Sequence, residues 1–192
     1  MAGKMIKKYF NFTEQDISAG KYTAWELIQP LWWNVSIYDG LDVYNKNLEQ
    51  FSESQRKMFA LNWYDAEVCN GGHDQFFCNS TGIVWKDALE GFRMVGADSL
   101  ADNFQKAVDM FEGSVPFDRE ERQEMLEKIT RNPDYDENDE ESEEYLDVFD
   151  ELDRFYYDNE DFYELMDIYV KNHPKEFVLK GEFEVWESEN KT

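Results

Sequence analysis

Apolar residues recur at three- and four-residue intervals through most of the chain, the spacing of helices that bury one face. Leu41, Tyr44, Leu48 and Phe51 form one such stripe. Trp25, Ile28, Leu31 and Trp32 keep the same period, with Pro30 expected to break or kink their helix. Ser52-Glu-Ser-Gln55 has the side chains of a capping box. It opens a helix running to about Cys69 whose apolar positions (Met58, Phe59, Leu61, Trp63, Tyr64, Val68) cover more than one face. A helix of that kind belongs at the centre of a core. Asn70-Gly71-Gly72 stops it, because glycine tolerates the left-handed backbone of a helix end.

Further helices are predicted from Ile83 to Val95, from about Ser99 with Leu100, Phe104, Ala107, Val108 and Phe111 inward, and from Arg119 to Thr130. Asn132-Pro133 ends the last of these, since a residue before proline avoids the helical region. Residues 132–142 then read as a polar, acidic loop. Tyr145, Phe149, Leu152 and Tyr156 predict one more amphipathic helix, and Phe162, Leu165, Met166 and Tyr169 another. Residues 1–20 read as an N-terminal arm, with Thr13-Glu-Gln-Asp16 able to cap a helix, and 179–192 as a C-terminal tail. The alternation Glu182-Phe183-Glu184-Val185 suggests a short strand or strand pair near the C-terminus. The fold class expected is therefore all-α: a single compact multi-helix domain over residues 21–178.

Charge changes the picture. Residues 1–96 carry 12 Asp and Glu against 9 Lys and Arg; residues 97–192 carry 31 against 10, within a chain of formal net charge −24. Between 134 and 167, 17 carboxylates face a single base, Arg154. Such a field repels nucleic acid and anionic lipid and attracts basic protein surfaces. A charge run is usually a solvated face, but a small domain is soluble at a net magnitude of about 2–8, so this density exceeds what solubility requires. The carboxylates of the last two helical segments, Asp147, Asp150, Glu151, Asp153, Glu160, Asp161, Glu164 and Asp167, lie mostly off the apolar stripes and are the candidate partner-binding residues. No apolar stretch approaches a membrane span, and two cysteines make no secreted disulfide framework, so a cytoplasmic location is expected.

Cys69, His73 and Cys78 are the one cluster of soft ligands, but a closed zinc site needs four, and the other histidine, His173, is distant in sequence. Buried thiols and a hydrogen-bonded histidine are the better reading, with no metal. Asp134-Tyr-Asp136-Glu-Asn138-Asp139 begins like a calcium loop, yet Asp139 stands where the turn requires glycine and Tyr145 where a bidentate carboxylate is required. No nucleophile elbow, phosphate loop or dinucleotide turn occurs. Neither catalytic residues nor cofactors are expected.

The run Asn70-Gly71-Gly72-His73-Asp74-Gln75-Phe76-Phe77-Cys78-Asn79-Ser80 resembles the signature of the bacterial DNA-mimic protein family. So do the stretches Ala88-Leu89, Val95-Gly96-Ala97 and Val108 to Phe111, and that from Leu152 through Tyr169 to Phe177; the resemblance covers about residues 55–178. It implies a mainly helical, often dimeric, non-enzymatic protein. Surface carboxylates would take the place of DNA phosphates on a basic DNA-binding protein such as a transcription regulator, with no direct contact to nucleic acid. Asn70, Gly71, Gly72, Gln75, Phe76, Phe77 and Asn79 then serve the fold: glycines in a tight turn, phenylalanines in the core, Gln75 and Asn79 bonding backbone at chain reversals. Two alternatives remain open at this level. One is an immunity-like protein neutralising a nuclease toxin; the other is a hydrolase using paired carboxylates and a divalent metal.

Overall fold

The computed structural model describes residues 3–139, 142–159 and 161–188, and among them nine α-helices and one two-stranded antiparallel sheet. The sheet joins the two ends of the chain. Strand β1 (Gly3–Phe12) pairs with β2 (Leu179–Ser188) in an unbroken register from Gly3 opposite Ser188 to Phe12 opposite Leu179. The expected strand near the C-terminus thus finds its partner in the stretch read as an arm. Phe10, Phe12, Leu179 and Phe183 anchor this ribbon in the core.

Helix α1 (Glu14–Ser18) follows, capped by Thr13, and then α2 (Ala24–Asn34), whose Thr23 and Glu26 complete a capping box. The expected break at Pro30 does not occur: α2 continues through it. The proline forfeits one hydrogen bond, to the carbonyl four residues back, while Leu27, Ile28 and Leu31 beside it are fully buried. Packing outweighs local propensity here.

Helix α3 (Leu41–Leu48) leads to α4 (Glu53–Cys78), the axis of the domain, with Ser52 and Gln55 forming the capping box predicted. Within α4 the chain kinks at Gly71 (φ −163°, ψ 30°) and Gly72 (φ 71°, ψ −174°), so the helix ends where expected and restarts at once. Phe76 and Phe77, in the restarted turn, are fully buried. A short 3-10 turn (Ser80–Val84) runs into α5 (Trp85–Val95), which lies so close to α4 that a Cβ at Gly91 would stand 2.9 Å from Leu61 Cγ and 3.1 Å from the Lys57 carbonyl oxygen. Then come α6 (Asp98–Asp109), α7 (Arg119–Thr130), α8 (Asp150–Asn159) and α9 (Tyr163–Asn172). No helix among the described residues is long and apolar enough to cross a membrane.

Tyr145 to Phe149 are not helical, contrary to the periodicity. Tyr145 bridges Arg131, the Leu146 N–H donates to the Thr130 carbonyl (2.7 Å) and the Asn132 N–H to that of Glu144 (2.9 Å). Tyr145 and Leu146 run back along the end of α7, Val148 and Phe149 form a turn, and helix α8 starts only at Asp150.

Arg122 of α7 is fully buried without a carboxylate partner. Its guanidinium donates to the carbonyls of Phe77 (2.6 Å), Asn79 (2.7 Å) and Pro116 (2.9 Å), closing the end of α4. Burial, reinforced by Arg119, lowers its pKa to about 10, so it remains charged at neutral pH. Gly82 is the residue that leaves room for it, since a Cβ there would overlap the guanidinium. Replacing Arg122 with methionine removes the guanidinium from the Phe77 and Pro116 carbonyls and leaves that of Asn79 with the Gly82 N–H alone. We expect a loss of more than ~2 kcal/mol in denaturant melts, with no rescue by Arg122→Lys, whose single ammonium cannot span the same set.

Candidate functional site

The acidic helices are held to the core at the α4 kink. The positive φ of Gly72 turns the chain so that the His73 N–H points outward, to Asp153 Oδ1 at 2.9 Å. The same carboxylate accepts from His73 Nδ1. Its Nε2 lies 2.6 Å from the Tyr64 hydroxyl, which is the donor there in the tautomer that carries its proton on Nδ1. His73 is fully buried, and both of its ring nitrogens are engaged. A Cβ on residue 72 would overlap the Asp153 carboxylate, so glycine is required there twice, for φ and for space.

Across the kink, Glu67 Oε2 accepts from Gln75 Nε2 (2.7 Å) and Asn79 Nδ2 (2.9 Å). The two amides therefore bond a side chain rather than the backbone anticipated. This clamp ties the restarted turn to the last full turn of α4. Asp65, on the same helix, accepts from Tyr156 at 2.7 Å and from Tyr163, one residue from α8 and one from α9. Burial, then the nearby Asp65 charge, holds the Tyr156 hydroxyl far above its usual pKa, so it stays a donor. Tyr157 adds a bond to the Val68 carbonyl at 2.9 Å. The hydroxyls of three tyrosines, of which Tyr156 is buried, one histidine and two carboxylates fasten this strongly anionic pair of helices, and none of these contacts uses a lysine or arginine.

The eight candidate partner-binding carboxylates divide accordingly. Asp147, Glu151, Asp161 and Glu164 are exposed; Asp150 is half-buried and pairs with Arg154 at 2.7 Å. Asp167 is exposed but caps α2, accepting from the Ala24 N–H at 2.7 Å. Glu160 lies outside the described residues. Asp153 requires a correction: expected to be dispensable for folding, it faces inward to His73. The register of α8 brings it, not its neighbours, onto the kink.

An open cleft of about 430 Å³ adjoins this junction, lined by Gly71, Asp74, Thr130, Tyr145, Asp147 and Asp153 among others. The Asp74 carboxyl is held above its usual pKa, first by burial and then by the charges of Asp147 and Asp153. The thiols are less buried than expected: Cys69 is exposed and Cys78 half-buried. Among the described residues no group of three or more His, Cys, Asp or Glu is arranged to hold a metal ion.

The family model described as DMP19-like protein matches residues 49–173. The chain belongs to the DMP19-like family. The matched segment runs from just before α4 to the end of α9 and so contains the kink, the Glu67 clamp, Arg122 and the eight candidate carboxylates. No curated protein and no solved structure is significantly similar to the chain. Sequence reasoning found the motif of this DMP19-like domain but missed Tyr64, Asp65, Glu67 and Asp153 as its partners. Asp65 carried a signal, being a carboxylate flanked along its helix by Leu61, Tyr64 and Val68, all of them fully buried.

Asp153→Lys should cost more than ~2 kcal/mol, since it breaks the buried bonds of His73 and adds a charge beside Gly72, whereas Glu151→Lys should stay within about 0.5 kcal/mol. Chemical denaturation of both variants measures the contrast. Gly72→Val should likewise lose more than ~1 kcal/mol, because a β-branched residue resists positive φ. For Asp74 the sign is opposite. A carboxyl whose folded pKa is raised stabilises fully below its unfolded pKa, and that contribution is lost as pH rises through the folded value. Asp74→Asn should therefore raise the melting temperature at pH 7, and the advantage should vanish below about pH 4, where aspartate is protonated in both states.

Proposed function

We propose that this protein is a non-enzymatic acidic binding protein that occupies the DNA-binding face of a basic protein in the cytoplasm, standing in for duplex DNA. The observation that carries this reading is the split among its carboxylates. Asp65 and Asp153 are spent on holding helices α8 and α9 and Glu67 on the kink of α4, while Asp147, Glu151, Asp158, Asp161 and Glu164 are left exposed on the acidic stretch. Membership of the DMP19-like family supports it.

Physically, the arrangement suits a DNA-binding partner. Duplex DNA offers one charge per about 1.7 Å of axis and is bound through lysine and arginine. Along α8, Asp150 and Asp158 stand eight residues apart, about 12 Å along the axis, and Glu151 lies between them on an adjoining face. Exposed Phe155 (38%), Tyr157 (44%) and Tyr163 (45%) alternate with these acids, adding apolar area that free DNA phosphates lack. Charge would steer the encounter and the aromatics would hold the complex.

The test is competition. A partner recovered from native lysate should elute with rising salt, because exposed charges beyond a Debye length of about 8 Å are screened near physiological ionic strength. Duplex DNA should displace this protein from it. Combined reversal of Asp147, Glu151 and Glu164 to lysine should weaken binding at least tenfold, mainly through the on-rate, with melting unchanged. Simultaneous binding of DNA and this protein, without mutual weakening, rules mimicry out.

A further inference from the structure

Helix α7 carries two arginines at i and i+3, on one face, and both line a second cleft. This cleft opens between the start of α3, the 3-10 turn after α4 and the start of α7. Its volume of about 420 Å³ is that of a small-molecule site.

Neither arginine has an acid. Arg122 is fully buried and bonded to carbonyls, as described above. Arg119 is exposed and tethered: its Nε–H donates to the Cys78 carbonyl at 3.1 Å and its Nη1 to the Ser80 hydroxyl at 3.4 Å. The Nη2 donors of Arg119 have no acceptor among the described residues, and no ion pair there includes either arginine. A shortage of carboxylates is not the cause, since the chain has 43 acids for 19 bases. Asp118, the one carboxylate among the lining residues, is engaged in capping α7, where it accepts from the Glu121 N–H at 3.0 Å. Two cations at this spacing repel each other, and a buried ion is ordinarily given a counter-charge. An anion seated beside Arg119 relieves the first cost and supplies the second need.

We propose that this cleft binds a small organic anion: a carboxylate or phosphate head carried on an apolar or aromatic body.

The head belongs at Arg119 and Ser80. A planar guanidinium fixed at one edge offers its remaining N–H donors as a fork, which fits either kind of head. Arg122 acts from behind the wall through its charge alone, because its donors are spent on carbonyls. At the opposite side of the cleft, Gly40 leaves α3 without a side-chain cap, so the positive end of that helix adds to the same field. The body is received by Leu41, Ile83 and Phe117. Beside them stands Tyr38, at 73% the most exposed large hydrophobic side chain among the described residues. A ring with so much free surface can stack on an aromatic ligand. None of the eight candidate partner-binding carboxylates lines this cleft, so the site stands apart from the proposed function and is tested separately.

The test is titration of the full chain with phenylacetate, phenyl phosphate, phenylacetamide and inorganic phosphate, followed by amide NMR. At least one aromatic anion should bind with Kd at or below about 1 mM, and neutral phenylacetamide at least tenfold more weakly. Preference for phenyl phosphate assigns a phosphate head, and preference for phenylacetate a carboxylate. Shifts should centre on Tyr38, Leu41, Ser80 and Arg119, a map that requires no variant. Arg119→Gln, at an exposed position, should weaken the preferred anion at least tenfold. Tyr38→Ala should weaken the aromatic anions and leave inorganic phosphate unaffected. Failure of both aromatic anions to bind, equal binding of the amide, shifts centred elsewhere, or an affinity that survives Arg119→Gln would overturn the proposal.

Discussion

Asp153 reaches the backbone and the ring of His73 only because residue 72 has no side chain and turns the chain through a positive φ. That contact determines where α8 lies, and through Asp65 and its two tyrosines it determines where α9 lies. Without the kink, the His73 N–H would be spent inside α4 and Asp153 would lose its two bonds to residue 73. The remainder of the domain is arranged around this requirement. Tyr64, fully buried, contacts Phe76, Phe92, Phe104 and Tyr156 at ring-centroid distances of 4.3–5.3 Å and carries the proton that satisfies the far side of the imidazole.

A chain this acidic has an electrostatic problem at every helix it buries. Its solution is to give inward carboxylates neutral donors. Asp65, Asp87 and Glu176 are each bonded by tyrosine hydroxyls, Asp153 by histidine and Glu67 by amides. Asp87 alone among these also takes an arginine, Arg56. Neutral donors leave the formal charge in place, so the external field of the acidic half survives folding. The one large buried cation, Arg122, is in turn satisfied by carbonyls and neutralises no carboxylate. Stability and surface charge are thereby kept separate.

The ends of the chain follow a different logic. Lysines concentrate in β1, the strand farthest in sequence from the acidic helices, and face the glutamates of β2 in register. Opposite charges across an antiparallel pair add modestly to its stability and specify which strand pairs with which. They also give the molecule one nearly neutral face beside an anionic one.

Helical class, the N-cap at Thr13 and the capping box at Ser52, the end of the first part of α4 at the glycine pair, and the limits of α7 were all legible in the sequence, because periodicity, capping and glycine conformation act over a few residues. The Asn-Gly-Gly-x-x-Gln-Phe-Phe motif was legible too, as a family mark. What the sequence alone did not decide was every relation across large separations: that the N-terminal arm pairs with the C-terminal tail, that α2 survives Pro30, that Tyr145 to Phe149 stay out of α8. Nor did it divide the carboxylates. Asp153 and Glu151 are neighbours of the same chemistry on one helix, yet one is bonded to His73, 80 residues away, and the other faces solvent. Local pattern cannot distinguish them, because the difference is made by the register of α8 against the kink, and only tertiary packing sets that register.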